Sequence, residues 1–287
     1  MNTEKWQVER AVFVETRRLL ARDRKKYLGM VMGLYCCGFL NGVTADDARV
    51  TRAGYFFARH IDDALDGENT DYDGGQALLN QLPLKVSELE SSEHKIAPLG
   101  RYAMRGLIAR QRAGDQPAND MQRLIDSMTL DYERSRSAKL FNNEDQLTKY
   151  YGDAMRGTNI MLIGFNSKLR EDKDFNANGN GLGRVYSARD LQDDWERQMF
   201  NIPRDSLDDM GIDLTDENSM PTYEQLIKSD NFKTWQIDQL SLARQELNQT
   251  IEMANSIGKN DAGAIVVKSI ATKALGYIPG TEKNLGL

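Results

Sequence analysis

Cysteine, histidine and proline are all scarce in this sequence. The only cysteines, Cys36 and Cys37, are adjacent, and adjacent cysteines rarely bridge each other. A secreted disulfide framework is excluded, and a reducing cytoplasm fits best. Two histidines, His60 and His94, leave little for a His-based zinc site or a Ser–His triad. Carboxylates, Arg, Lys and Tyr must then carry any chemistry. No stretch approaches the roughly 18 uninterrupted apolar residues of a membrane span. The first twenty residues hold scattered charges and none of the apolar core of a signal peptide. Any membrane contact would therefore be peripheral. Positive charge is outnumbered, with 37 Lys and Arg against 43 Asp and Glu in 287 residues. Non-specific nucleic-acid binding needs the opposite balance.

What the sequence does have is helical periodicity. The six prolines, Pro83, Pro98, Pro117, Pro203, Pro221 and Pro279, leave long stretches in which apolar residues recur at threes and fours. The spacing predicts an all-α chain with helices near 4–22, 26–41, 45–66, 74–92, 99–113, 119–137, 144–168, 181–199, 222–229, 231–258 and 261–276. With 40% hydrophobic residues these can build a large core, expected as a single domain over 1–287. Pro83 makes 74–92 the least secure helix. Residues 171–180 read as a loop entering the next helix. The run Gly179, Gly181, Gly183 resembles part of a dinucleotide fingerprint, but no strand precedes it, so that reading fails.

Two acidic clusters carry the candidate chemistry. Asp62, Asp63 and Asp66 fall in the helix 45–66, which Thr44 can cap and Gly67 can stop. Asp62 and Asp66 stack one turn apart with Asp63 beside them. Carboxylates this close repel unless cations occupy the face, and an oxygen-only donor set suits Mg²⁺, with Mn²⁺ as a substitute. The second cluster is Asp190, Asp193 and Asp194, with Tyr186 one turn earlier. Each cluster has an arginine beside it, Arg59 and Arg189, suited to phosphate oxygens or to salt bridges within the motif. Either cluster alone also reads as a solvated acidic face. Facing one another across a single pocket, the pair could hold metal ions and a diphosphate. Tyr55, Tyr150, Tyr151 and Tyr186 are candidates for lining that pocket or for core packing. Lys26 could reach the diphosphate or merely start a helix.

The segments ARHIDDALDGE (58–68) and ARDLQDDWERQMFNIPRDSLDDMGI (188–212), with LIDSMTLDYERSRSAKLFNNEDQLTKYYGDAMRGTNIML (124–162) between them, resemble the squalene/phytoene synthase family over roughly 25–215. Arg189, Asp190, Asp193, Asp194, Pro203, Leu207 and Gly211 fall at matching places. The resemblance implies an isoprenoid-synthase helical bundle around an apolar pocket, with Mg²⁺ held by both Asp motifs. Asp62, Asp66, Asp190, Asp194 and Tyr186 would be catalytic, and Arg59, Arg189, Tyr55, Lys26 and Tyr151 would bind substrate. It further implies two all-trans prenyl diphosphates of fifteen or twenty carbons, joined head to head through a cyclopropyl intermediate with loss of diphosphate. The chain departs from the family pattern at Gly183 and Tyr186, where Gln and Asn are usual, and at Gln198, Met199 and Asn201, where the pattern runs G-R-x-Y-x-P. A terpene cyclase acting on one prenyl diphosphate and a non-catalytic helical assembly factor are the competing expectations. NADPH use and oligomeric state stay open.

Overall fold

The structure, a computed structural model, describes residues 3–69, 71–72, 77–137, 140–171, 176–213 and 220–287, with the side chains of Lys26, Ala77 and Glu171 excepted. Among these residues every regular element is helical, as the periodicity predicts. The α-helices are α1 (Thr3–Arg22), α2 (Arg24–Cys36), α3 (Ala45–Leu65), α4 (Ala77–Gln81), α5 (Ala97–Ala109), α6 (Pro117–Ser137), α7 (Glu144–Ala154), α8 (Gly157–Gly164), α9 (Asn176–Arg189), α10 (Leu191–Glu196), α11 (Arg204–Asp209), α12 (Tyr223–Leu226), α13 (Asp230–Ile257) and α14 (Ala262–Leu285). The chain forms two compact units. One comprises 1–129, 156–172 and 257–266, and the other 130–155, 173–256 and 267–287.

In the first unit α3 is the central helix. Thr44 caps it as expected: its hydroxyl accepts from the Asp47 N–H, while the Asp47 carboxylate accepts from the Thr44 N–H. This reciprocal pairing satisfies two otherwise orphaned donors. Gly67 follows its end at φ +72°. Val50, Ala53, Phe56, Phe57 and Ile61 are buried, and α3 packs on α1, α5 and α8.

The second unit is built on two apolar clusters. One joins Leu182 and Val185 of α9 with Leu240, Ala243 and Leu247 of α13 and Ala271, Ala274 and Ile278 of α14. The other joins Leu191 and Trp195 of α10 with Phe200, Ile202, Leu207 and Phe232.

Four helix spans differ from the periodic reading. The helix expected over 74–92 is reduced to α4 and a 3₁₀ turn at Val86–Glu88, because Pro83 lacks an N–H and disfavours helix at the residue before it. Residues 74–76 of that span lie outside the described ones. The span 144–168 breaks between α7 and α8, immediately before Gly157. The loop expected up to residue 180 already becomes helix at Asn176, and the same helix ends at Arg189 rather than running to 199. The helix expected to stop at 276 continues through Pro279 to Leu285. Ile278, Thr281 and Leu285 recur on its buried side, and this burial outweighs the hydrogen bond that the proline forgoes.

The glycine run explains the early start of α9. A Cβ on Gly183 would lie 2.4 Å from the ring of Tyr151, and one on Gly181 would lie 2.8 Å from Leu247. Here glycine brings the helix against α7 and α13. Tertiary packing thus secures a segment whose helix propensity is poor.

Candidate metal and diphosphate site

The first acidic cluster divides in two. Asp63 has no solvent exposure. Its carboxylate faces three guanidinium groups: Arg18 at 2.7 Å, Arg22 at 2.9 Å and Arg59 at 2.6 Å. Arg18 and Arg22 are four apart on α1 and so share a face. Asp62 is half-buried and pairs with Arg59, which also donates to the Tyr27 hydroxyl at 2.9 Å. Glu68 lies 2.7 Å from Arg22 and accepts from Arg59 at 3.2 Å. Asp66 stands exposed at the end of α3, with its N–H bonded to the Asp62 carbonyl at 2.9 Å. The one-turn stacking of Asp62 and Asp66 expected from spacing is therefore present, while Asp63 points into an arginine cluster. The Tyr55 hydroxyl donates to the Met30 sulfur, and burial pushes its pKa up to about 12. Lys26 lies in α2, and its side chain is outside the described ones.

Beneath Asp63 runs a chain of buried polar groups. Glu15 accepts from Arg18 Nε at 2.8 Å and lies 3.0 Å from Nδ1 of the fully buried His60. His60 Nε2 meets the Tyr72 hydroxyl at 2.7 Å, and that hydroxyl meets His94 Nε2 at 2.9 Å. His94 Nδ1 accepts the Ile96 N–H, which places the His94 proton on Nε2. The hydroxyl then donates to His60 Nε2, whose Nδ1 faces the Glu15 carboxylate. Burial and the neighbouring His60 lower the His94 pKa to about 4.

The second cluster sits where α9 gives way to α10. Asp190 occupies the junction, and the Asp194 N–H bonds its carbonyl at 2.9 Å, so the two are again one turn apart. Arg189 holds Asp190 with two parallel bonds, at 2.7 and 2.5 Å. The Arg189 guanidinium also lies 4.7 Å over the Tyr186 ring and 5.2 Å over Tyr277. Asp193 is exposed and Asp194 half-buried. Burial, with the negative charges of Asp190 and Asp131, raises the Asp194 pKa to about 7.

Sequence reasoning missed the shell that positions Asp194. Arg134 of α6 is 1% exposed. It donates to Asp131 at 3.1 Å, to the Phe200 carbonyl at 2.7 Å and to Asn201 Oδ1 at 3.1 Å. The Asn201 amide in turn donates to Asp194 at 3.0 Å, and the Tyr150 hydroxyl donates to Asp131 at 2.6 Å. Asn201, a departure from the family pattern, is thus tied directly to the second motif. The spacing of three between Asp131 and Arg134 was a visible signal, but their distant partner Asn201 was not. Tyr151, expected at substrate, is instead 3% exposed in a cluster with Phe141 and Leu147, and its ring fills the space Gly183 leaves.

Among the described residues no group of three or more His, Cys, Asp or Glu is gathered as a metal ion would require. Asp63 and Asp190 are closed on arginines. The donor set nonetheless fits a hard divalent cation. Asp194, half-buried beside Asp190 and Asp131, is an oxygen donor of the kind such a cation takes, and burial foremost raises its pKa.

The squalene/phytoene synthase family model matches residues 44–265. The chain belongs to the squalene/phytoene synthase family. The match begins at Thr44, the cap of α3, so α1, α2 and the Lys25–Tyr27 stretch fall outside it, unlike the span the motifs suggested. It takes in both Asp motifs and the α6–α8 region between them. Members of the family are isoprenoid enzymes that act on prenyl diphosphates. No curated protein matches the chain.

Proposed function

We propose that the chain is a Mg²⁺-dependent prenyltransferase that joins two all-trans prenyl diphosphates of fifteen or twenty carbons head to head, releasing diphosphate. The observation that supports this reading is the family match, which takes in both Asp motifs, each with two aspartates one helical turn apart. Asp62 and Asp66 in one unit, and separately Asp190, Asp193 and Asp194 in the other, would each offer oxygen donors to Mg²⁺. Asp63 serves instead as the anchor of Arg18, Arg22 and Arg59. Mg²⁺, when bound, offsets the charge that builds on the departing diphosphate.

The chain's own groups do the rest. Arg59 and Arg189, each now paired to an aspartate, present guanidinium groups to phosphate oxygens. Heterolysis of the allylic C–O bond leaves a carbocation, the double bond of the second substrate supplies the electron pair, and the cation this creates loses a proton as the cyclopropyl ring closes. Tyr186, whose ring already lies against a guanidinium, offers an aromatic face to positive charge.

A cyclase acting on one prenyl diphosphate is the second reading. It is favoured by the exchange of the family's Gln for Gly183, with Tyr151 filling the gap. Product mass after incubation with farnesyl and with geranylgeranyl diphosphate, with and without NADPH, tests both. A product with twice the carbon count supports condensation, and one with the substrate's carbon count supports cyclisation. Asp62→Asn and Asp190→Asn should each slow diphosphate release by at least about a hundredfold. If no substrate is consumed with Mg²⁺ or Mn²⁺, the enzyme reading fails and a non-catalytic role replaces it.

A further inference from the structure

Among the described residues, seven of the eleven large apolar side chains that stand exposed fall between positions 6 and 39. They form two stripes of like design. On α1, Trp6, Arg10, Phe13 and Arg17 recur at steps of four, three and four, which places them on one helical face. On α2 and the 3₁₀ turn after it, Leu28, Met32, Tyr35 and Phe39 repeat the same steps. Phe39 is 89% exposed, Phe13 56% and Met32 54%. A soluble surface seldom exposes so many large apolar side chains on neighbouring helices without a partner. We propose that the outward faces of α1 and α2 dock the protein on an anionic lipid membrane.

Charge selects this occupant. The Arg10 guanidinium lies 5.6 Å over Trp6, and that of Arg17 lies 5.9 Å over Phe13. Neither has a carboxylate partner among the described residues. Arg24 and Lys25 are also exposed. The acids of α1 are turned away and engaged: Glu4 with Arg105, Glu9 with Arg49 and Arg52, and Glu15 with Arg18 and His60. Asp23 is the one exposed acid in these two helices and the residue joining them. A second copy seated on this face would set arginine against arginine with no carboxylate to match. A phosphate-bearing surface matches it, and interleaved aromatics and arginines suit the boundary between headgroups and acyl chains. No helix of the described residues is long and apolar enough to cross a membrane, so the contact lies in the interface plane. Both helices precede the family match.

Sedimentation with phosphatidylcholine vesicles, and with vesicles of equal phosphatidylcholine and phosphatidylglycerol, tests the proposal without requiring turnover. Its outcome is therefore independent of the enzyme reading. The protein should pellet with the phosphatidylglycerol vesicles. Trp6, the one exposed tryptophan of three, should shift its emission to the blue. Phe13→Ser with Phe39→Ser, and separately Arg10→Glu with Arg17→Glu, should each weaken partitioning by about tenfold or more. Ile237→Ser with Leu242→Ser, exposed apolar residues of α13, should leave it unchanged. Circular dichroism of each variant confirms folding. Failure to pellet with anionic vesicles overturns the proposal, as does equal binding to pure phosphatidylcholine. Self-association in sedimentation velocity that the α1 and α2 substitutions abolish also overturns it, and assigns the face to a second copy.

Discussion

Asp63 has no solvent exposure and faces three guanidinium groups, whereas Asp62 beside it is half-buried and pairs with Arg59. Removing one partner of a buried ion cluster leaves the others desolvated and uncompensated, which typically costs about 3–5 kcal/mol. Asp63→Asn should therefore lower unfolding stability by about that amount in urea titration, while Asp62→Asn should change it by about 1 kcal/mol or less and act on Mg²⁺-dependent activity instead. Equal destabilisation by the two would contradict the division. Asp194 gives the matching test in the second motif. Its folded pKa of about 7 lies above the usual carboxylate value near 4, so the folded state binds its proton more tightly than the unfolded state does. The stability this contributes is full below about pH 4 and is lost as pH rises through 7. In metal-free protein Asp194→Asn should thus be more stable than the parent at pH 8, with the difference closing toward pH 4.5. Under the proposed function Mg²⁺ competes with that proton, so its apparent affinity should fall as pH drops below 7.

The junction after α10 shows how a local departure is accommodated. The helix ends in a Schellman arrangement: the Met199 N–H bonds the Asp194 carbonyl at 2.8 Å, and the Gln198 N–H bonds the Trp195 carbonyl at 3.1 Å. This closing geometry requires a left-handed residue, and Gln198 adopts φ +58° where the family pattern has glycine. Gln198→Gly removes the Cβ strain but loosens the unfolded chain, so the net gain should be about 0.5–1 kcal/mol by urea titration. A loss would mean that the Gln198 side chain contributes contacts exceeding the strain. The same segment shows what sequence could reveal. The helices, the Thr44 cap, the Gly67 stop and the one-turn pairs Asp62–Asp66 and Asp190–Asp194 all follow from local spacing, and local spacing is visible in a string of letters. The turn of Asp63 toward α1 is not, because Arg18 and Arg22 come from another helix. Nor is the start of α9 at Asn176, which depends on Tyr151 and Leu247 filling space beside glycines. Asn201 looked like a lost family residue and is in fact bonded to Asp194, a pairing set by the buried Arg134.

At the scale of the whole molecule, each compact unit carries one Asp motif, and stability linkage asks whether both contribute to binding. A ligand that binds only the folded chain stabilises it by about 2.7 kcal/mol at a hundred times its dissociation constant. For a chain of this size that corresponds to a rise in Tm of roughly 5–10 °C. Inorganic diphosphate alone would bring its negative charge to clusters of carboxylates, and Mg²⁺ alone would meet aspartates held by arginines. Only the two together satisfy both sets of charges. Thermal unfolding in Mg²⁺, in diphosphate, and in both should therefore show small shifts for each alone and the full rise for the pair. Asp62→Asn and Asp190→Asn should each cut the combined rise while leaving the ligand-free Tm within a few degrees of the parent. Asp63→Asn is unsuitable for this comparison because it lowers the ligand-free Tm itself. An undiminished rise in either substituted protein would remove that unit's motif from the binding of metal and diphosphate, and the absence of any rise in the parent would remove both.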